Sequence, residues 1–484
     1  MPHLLLITII LLVTICYLSR KHRIISPKSG KELPTCPYRW PDGQGDVGKF
    51  LDGESNGKEW TTQHGRIYRI WSGMTPEIVL SRPEDVQNVF KDSDAHSKAV
   101  NSNAGWLFGQ LLGKCVGLVS GLDWHRVRAS MGNEWTYKDT ANYLPRISDL
   151  TREYFHELHS KGRLDQGLLN PVSDLRMLPF WIVADRIYGT LTPQLRSELE
   201  SLVPLRESLF LRVLQGGVSR YPWSQYLPTK TNSDLKEFKS RWARFNDKVH
   251  KACKLANKAV PITHMYDCVQ KNSMDAENLY QTLDEMLFAN LDVTIGGISW
   301  NLIFLAANPT VQDDLREELR QIRRTSDKTK TWEGYLLNTK TLLAACILEA
   351  ARLKPLAPFS IPQAAPTSRT VSGFLVPPNA NYIVDTYALN IRNPYWGKDR
   401  AAYRPSRFLD SKTSDIRYQY WRFGFGPRQC LGKYLAELMC RSLIAHLVEN
   451  YELGLQGTNT WNRKPETWIT QPNTDIRCEL RGRG

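Results

Sequence analysis

The 484-residue chain is 42% hydrophobic, 10% aromatic and 23% charged, a globular balance that excludes a disordered or fibrous chain and supplies a large core. Lysine and arginine number 63 against 49 acidic residues, and the formal charge of +14 favours an anionic partner; with no nucleic-acid motif among the scattered basic residues, membrane surface and acidic protein remain. Nine cysteines, an odd number with no CxxC pair, exclude a disulfide scaffold and point to a cytosol-facing domain.

Leu4 to Leu18 is an uncharged apolar run followed by Arg20-Lys21-His22-Arg23. At 1.5 Å per residue, residues 1–18 span roughly 27 Å, enough for the thin bilayer of the endoplasmic reticulum. No small-x-small cleavage site follows, so an uncleaved transmembrane signal anchor is expected over 1–19, with the rest of the chain in the cytosol. Residues 20–50 are basic and punctuated by Pro34, Pro37 and Pro41, which suits a hinge. From about residue 51 to 484 no linker-like composition and no repeat interrupts the chain, so one large catalytic domain is expected.

Arg66–Trp71 and Glu77–Leu80 predict two strands joined at Ser72-Gly73, with Ser81 capping the helix that follows. Trp124 and Arg128 stand four residues apart, on one face of a helix, and both carry donors suited to a carboxylate. From 147 to 202 apolar residues recur at helical spacing and form scaffold; 209–217 and 221–228 are apolar and aromatic with breakers. Asp275 to Asn308 predicts one long helix crossing the domain, with the poor helix formers Gly296-Gly297 near its centre. Glu349 and Arg352 lie at i, i+3 on a helix that closes at Pro355. Gly373–Ala380 reads as strand and turn, and Arg407 follows in Tyr403-Arg404-Pro405-Ser406-Arg407-Phe408.

The stretch with the strongest chemistry is Phe423-Gly424-Phe425-Gly426-Pro427-Arg428-Gln429-Cys430-Leu431-Gly432. A cysteine held in a glycine-rich loop, just ahead of a predicted amphipathic helix from Lys433, is placed where helix N–H groups favour the thiolate. An anionic sulfur is the axial ligand that suits haem iron when the chemistry is O–O cleavage. A structural cysteine beside a turn is the bland alternative.

This segment matches in full the FxxGxRxCxG loop, and the chain on it resembles the cytochrome P-450 family of haem-thiolate monooxygenases. Five elements in the family's order cover residues 120 to 435: WxxxR, the acid-bearing long helix, ExxR, the PxRF segment and the cysteine loop. The resemblance implies a mainly α fold with a minor β subdomain, and haem b as cofactor with Cys430 on iron. Phe423, Gly426, Arg428 and Gly432 would frame the haem, Trp124 and Arg128 would bind a propionate, and Glu349, Arg352 and Arg407 would form a buried structural network. Gln363 falls near where many relatives carry a basic propionate ligand. The 209–228 region would be a lid over the pocket, and Arg422 and Lys433 would face an acidic reductase.

The family's long helix carries AGx(D/E)TT at its centre, relaying protons to oxygen. Here the segment is Ala289-Asn290-Leu291-Asp292-Val293-Thr294: the acid stays, Asn290 replaces the glycine and Val293 the first threonine. Asp292 and Thr294 are the catalytic candidates. Valine has no proton to give, so Thr294 would act after a bulge, the substrate would supply protons, or a radical would couple without oxygen insertion. The resemblance implies electrons from NADPH through a cytochrome reductase, with cytochrome b5 as a further donor, an endoplasmic-reticulum membrane location and a small-molecule substrate. The wording of the long helix is similar to that of fungal secondary-metabolism members, including those of gliotoxin-like toxin pathways. The competing readings are a haem-thiolate coupling, rearrangement or dehydration enzyme, and a haem sensor without turnover.

Overall fold

The computed structural model describes residues 23–325, 328–457, 461–464 and 467–481, with Leu6, Ile9 and Val13 ahead of them. The anchor expected over 1–19 lies, but for those three residues, outside the described chain.

The predicted hairpin forms as β1 (Ile67–Ser72) and β2 (Thr75–Leu80), with Ile67 opposite Leu80 and the turn at Gly73, whose φ is +57°. Ser81 does not cap the next helix: its hydroxyl donates to the Arg66 carbonyl (2.6 Å) across the hairpin's open end, and the helix starts at Pro83. Three further strands, β3 (Ser97–Lys98), β4 (Gln363–Ala364) and β5 (Asn381–Val384), complete a sheet in the order β1-β2-β5-β4-β3. Tyr68, Ile70, Val79, Leu80, Ile383 and Val384 are all buried, so both faces of the sheet are covered. The stretch read as a hinge is docked on this sheet from residue 24: Ile24, Leu33 and Cys36 are buried, and Thr35 bridges Arg69.

The rest is helical, a mainly α fold with a small β part. Six helices position the site: α1 (Trp106–Leu112), α2 (Gly121–Ser130), α3 (Met177–Tyr188), α4 (Val203–Gln215), α5 (Ala276–Ala307) and α6 (Leu342–Leu353). Among the described residues, α5 alone is long and apolar enough to cross a membrane, but 72% of its most apolar window is buried, which marks a core helix. It is not regular: Glu285–Ala289 forms a π turn, about two to three turns before the poor helix formers Gly296-Gly297. Gly296 serves packing instead, since a Cβ there would lie 2.7 Å from Ile469 and 3.1 Å from the Thr470 carbonyl. A seventh, α7 (Lys433–Asn450), is not amphipathic; residues 438–445 are buried without a break, so it is a core helix.

Glu349 and Arg352 on α6 are fully buried and joined through two 2.7 Å bonds. Arg407 Nε (3.2 Å) and the Arg404 N–H (3.1 Å) also donate to Glu349 Oε1. Arg352 Nη1 then holds the carbonyls of Asn390 (2.9 Å) and Arg400 (2.8 Å). The Asn390 side chain accepts the Trp421 N–H (2.8 Å) and donates to the Trp421 carbonyl (2.9 Å), two residues before the cysteine loop. An exposed pair such as Asp123–Arg126 contributes under about 1 kcal/mol. The buried set behaves differently, because removing one partner strands a desolvated charge, and Glu349→Gln is expected to destabilise the fold by about 3–5 kcal/mol. Urea denaturation checks this; an effect within that of an exposed pair would show that the network does not hold the fold.

Candidate active site

The Cys430 N–H donates to the Phe423 carbonyl (2.9 Å) and closes the cysteine loop. Gly424 (φ +81°) and Gly426 (φ +67°) take left-handed conformations inside it, and a Cβ on Gly426 would lie 2.5 Å from Ser93 Oγ. Ser93 donates to the Phe425 carbonyl (3.1 Å), and the Phe425 ring is held by Tyr418 and Trp421 at 4.9 and 5.1 Å. Gly432 is the last residue before α7, so Cys430 does sit just ahead of a helix start.

Cys430 is the one exposed cysteine among those described. Its sulfur is nonetheless enclosed by protein, and burial pushes the thiol up from its ordinary value; the Gly432 N–H, Lys433 and Arg422 pull it down, and Glu285 pushes it up. The helix start pulls toward the thiolate, as its place in the sequence implies, and burial opposes it. A metal ion's own charge has to draw off the proton. Arg422 is also not a free surface cation, because it pairs with Glu437 at 3.1 Å.

Trp124 and Arg128 lie on α2 as predicted. The Arg428 guanidinium sits over the Trp124 ring at 4.8 Å and donates to the Val119 carbonyl (2.7 Å). Lys98, on the edge strand β3, is a member of this group that the sequence reading missed. Its strand is two residues long and carries no pattern; only the pairing Lys98↔Gln363 brings it in. Burial, helped by Arg428, pushes Lys98 down to about 7, and burial pushes Arg428 down to about 10. Among the described residues no carboxylate lies within ion-pair distance of Lys98, Arg128 or Arg428, although Glu285 is near enough to act on Lys98 and Arg428. Uncompensated cations around an indole N–H make a receptor for a carboxylate-bearing ligand.

The long helix faces this group. Met286, Ala289, Asn290, Val293 and Gly297 stay partly accessible at a spacing that marks one face, with Glu285 and Asp292 partly accessible beside it. Asp292 and Thr294 are not brought together, since two residues along an α-helix lie nearly opposite. Asp292 Oδ1 accepts from Arg176 Nη2 (2.9 Å) and Gln471 Nε2 (3.4 Å) and is committed to that side. Thr294 is buried and donates to Asn290 Oδ1 (2.8 Å). Beyond Asn290, the rings of Phe108 on α1, Phe210 on α4 and Trp468 form a roof, with centroids 6.4 and 5.1 Å apart.

A thiol opening into the interior, cations without counter-ions and a long helix with an accessible face coincide with what comparison finds. The sequence pattern of the cytochrome P-450 family matches residues 53–479. The chain is 49% identical over 470 residues to the cytochrome P-450 monooxygenase aclC of Aspergillus oryzae, covering 96% of this chain and 95% of that one. It is 44% identical to asaD of Aspergillus flavus (96% and 90% covered) and 38% identical to gliC of Aspergillus fumigatus (96% and 93% covered), both cytochrome P-450 monooxygenases. The chain belongs to the cytochrome P-450 family. Within it, the protein is a haem monooxygenase of the fungal secondary-metabolism group, an enzyme with thiolate-ligated haem iron, a redox partner and a small-molecule substrate. The residues present fit the haem, since the one exposed thiol and the cations lacking counter-ions match an iron and its two carboxylates.

Lys98 gives a pH signature for the haem-free protein. Its folded value, about 7, lies below the ordinary 10.5, so between those values the unfolded chain binds more protons. The contribution of Lys98 to stability therefore rises with pH from about 7 to 10.5 and is least favourable below 7. Denaturation midpoints at pH 7 and 9 should diverge more in the wild type than in Lys98→Met; identical slopes would contradict this placement.

Proposed function

We propose that Cys430 is the axial thiolate of the haem, that Arg428, Arg128, Trp124 and Lys98 hold its propionates, and that Phe423, Gly426 and Gly432 frame it. The observation that carries this reading is Cys430, the exposed cysteine among the described residues, beside cations that no described carboxylate pairs with. Lys98 stands in for the basic residue missing at Gln363, its partner across the strand. The haem, when bound, supplies activation of O₂ and insertion of one oxygen atom into an organic substrate.

The chain's own residues position the substrate and deliver protons. Val293 keeps the accessible face of α5 apolar where a hydroxyl is usual. The polar group on that face is Asn290, whose Oδ1 is occupied by the Thr294 hydroxyl, which leaves its amide Nδ2 as the donor it has to offer. Thr294 thus acts through Asn290, and Asp292 with Arg176 and Gln471 forms the route from the opposite face.

Electrons come from NADPH through a cytochrome reductase, with cytochrome b5 as a second donor. The protein is anchored in the endoplasmic reticulum by residues 1–19, with the domain from 51 to 484 in the cytosol. Exposed Trp40, Val218, Trp223 and Tyr226 support a membrane-facing side; they lie on segments tied together by Asp42 and the Gly217 N–H (3.2 Å). Similarity to fungal secondary-metabolism monooxygenases supports a small molecule of such a pathway as substrate, and the wording of α5 extends the reading to a cyclic dipeptide of a gliotoxin-like pathway. Val293 keeps one second reading open, oxidative coupling without oxygen insertion.

The intermediate accumulated by a gene-deletion strain, incubated with the protein, reductase, NADPH and ¹⁸O₂, should gain one labelled oxygen. An oxidised product without label would favour coupling, and conversion without NADPH consumption would overturn the oxygenase reading. Asn290→Leu is expected to lower product formed per NADPH by at least about tenfold with haem content unchanged. Unaltered coupling would remove Asn290 from the proton route.

A further inference from the structure

One edge of α5 is polar, and it grips the backbone of the chain leading into α2. Asn278 donates to the Lys114 carbonyl (2.8 Å), and Gln281 accepts the Lys114 N–H (2.6 Å). Thr282 accepts the Val116 N–H (3.1 Å), and Glu285 Oε2 accepts the Gly117 N–H (3.0 Å). Two residues further on, the Val119 carbonyl is held by Arg428 of the cysteine loop. Residues 114–119 are thus a strap running from the long helix to the haem loop, and Glu285 is its last holder on the helix side. The contact at Gly117 is close, and a Cβ there would lie 1.9 Å from Glu285 Oε1 and displace the carboxylate.

Glu285 differs from the other holders. Asn278, Gln281 and Thr282 are buried, whereas Glu285 is partly accessible and adjoins Met286, the first residue of the accessible face. The strap it holds at Gly117 runs on two residues to Val119, whose carbonyl is bound by Arg428 of the cysteine loop, so the carboxyl stands on the side of the helix nearest that loop. No cation lies within ion-pair distance of it among the described residues. A carboxylate has about four acceptor positions, and here the Gly117 N–H occupies one. Its neighbours Met286 and Ala289 offer no donor, and the amide on the accessible face, Asn290, lies five residues on. A partly buried carboxylate with open acceptor positions and apolar neighbours is costly until a donor arrives.

We propose that Glu285 is a specificity-determining residue of the oxygenation site: it receives an N–H or protonated amine of the substrate and so selects nitrogen-bearing molecules over hydrocarbon ones of the same shape. The inference rests on the haem reading and deepens it.

The test uses the haem-loaded full chain and two matched series of iron-binding probes, N-(ω-aminoalkyl)imidazoles and N-alkylimidazoles of equal length, with two to five methylenes. Affinities are read from the absorption shift on imidazole binding. At one chain length the amine is expected to bind about tenfold tighter than its alkyl twin, the strength of one charge-assisted hydrogen bond. In Glu285→Gln that preference should vanish while the alkyl twin changes by less than about twofold. Glu285→Asp should move the preferred amine to a longer chain, and it serves equally if the glutamine variant loads haem poorly. No amine preference at any length in the wild type, or a preference that survives Glu285→Gln, would overturn the proposal. Equal weakening of both series would assign Glu285 to holding the strap alone, and would overturn it too. A chain giving no absorption shift with any alkylimidazole would contradict the haem reading itself, a distinct failure.

Discussion

The Glu349 carboxylate, fully buried and shared between two arginines and a backbone N–H, is the interaction on which the site depends. An isolated charge at that depth is prohibitive, so the fold must bring Arg352 and Arg407 to it, and with them the segments from Asn390 to Phe408. The consequence for chemistry is indirect but rigid. Arg352 fixes the Asn390 backbone, Asn390 fixes Trp421 through both backbone groups, and Trp421 packs on Phe425 inside the cysteine loop. The position of a sulfur is set by a carboxylate far away in the chain.

The long helix is the second constraint. It crosses the core, and the polar side chains it keeps have separate duties. Asn278, Gln281, Thr282 and Glu285 grip the strap, Asp284 meets Arg206, Asp292 meets Arg176, and Thr294 meets Asn290. The π turn at Glu285–Ala289 separates these duties, because the extra residue per turn resets which side chains face the strap and which face the haem side.

Motifs made of residues close in sequence were legible: the cysteine loop, Trp124 with Arg128, and Glu349 with Arg352. Their chemistry is local, and fixed spacing places them on one face or in one loop. What escaped depended on distant pairing. Lys98 enters the site only because β3 pairs with β4, and Asn390 matters only because it meets Trp421. Glu285 did leave a trace, an acid in an apolar helical run, but nothing in the run says that its partner is the Gly117 backbone. Gly296 was legible as a residue kept in the helix by something other than propensity, and the reason, the close approach of residues 469–470, is a distant pairing again.

The account stands on one bond, from the Cys430 sulfur to haem iron. Iron K-edge X-ray absorption on the purified full chain measures it directly. One sulfur in the first coordination shell of iron, absent after Cys430→Ser, is the predicted result; a shell without sulfur in the wild type, or a sulfur that persists in the variant, would contradict it.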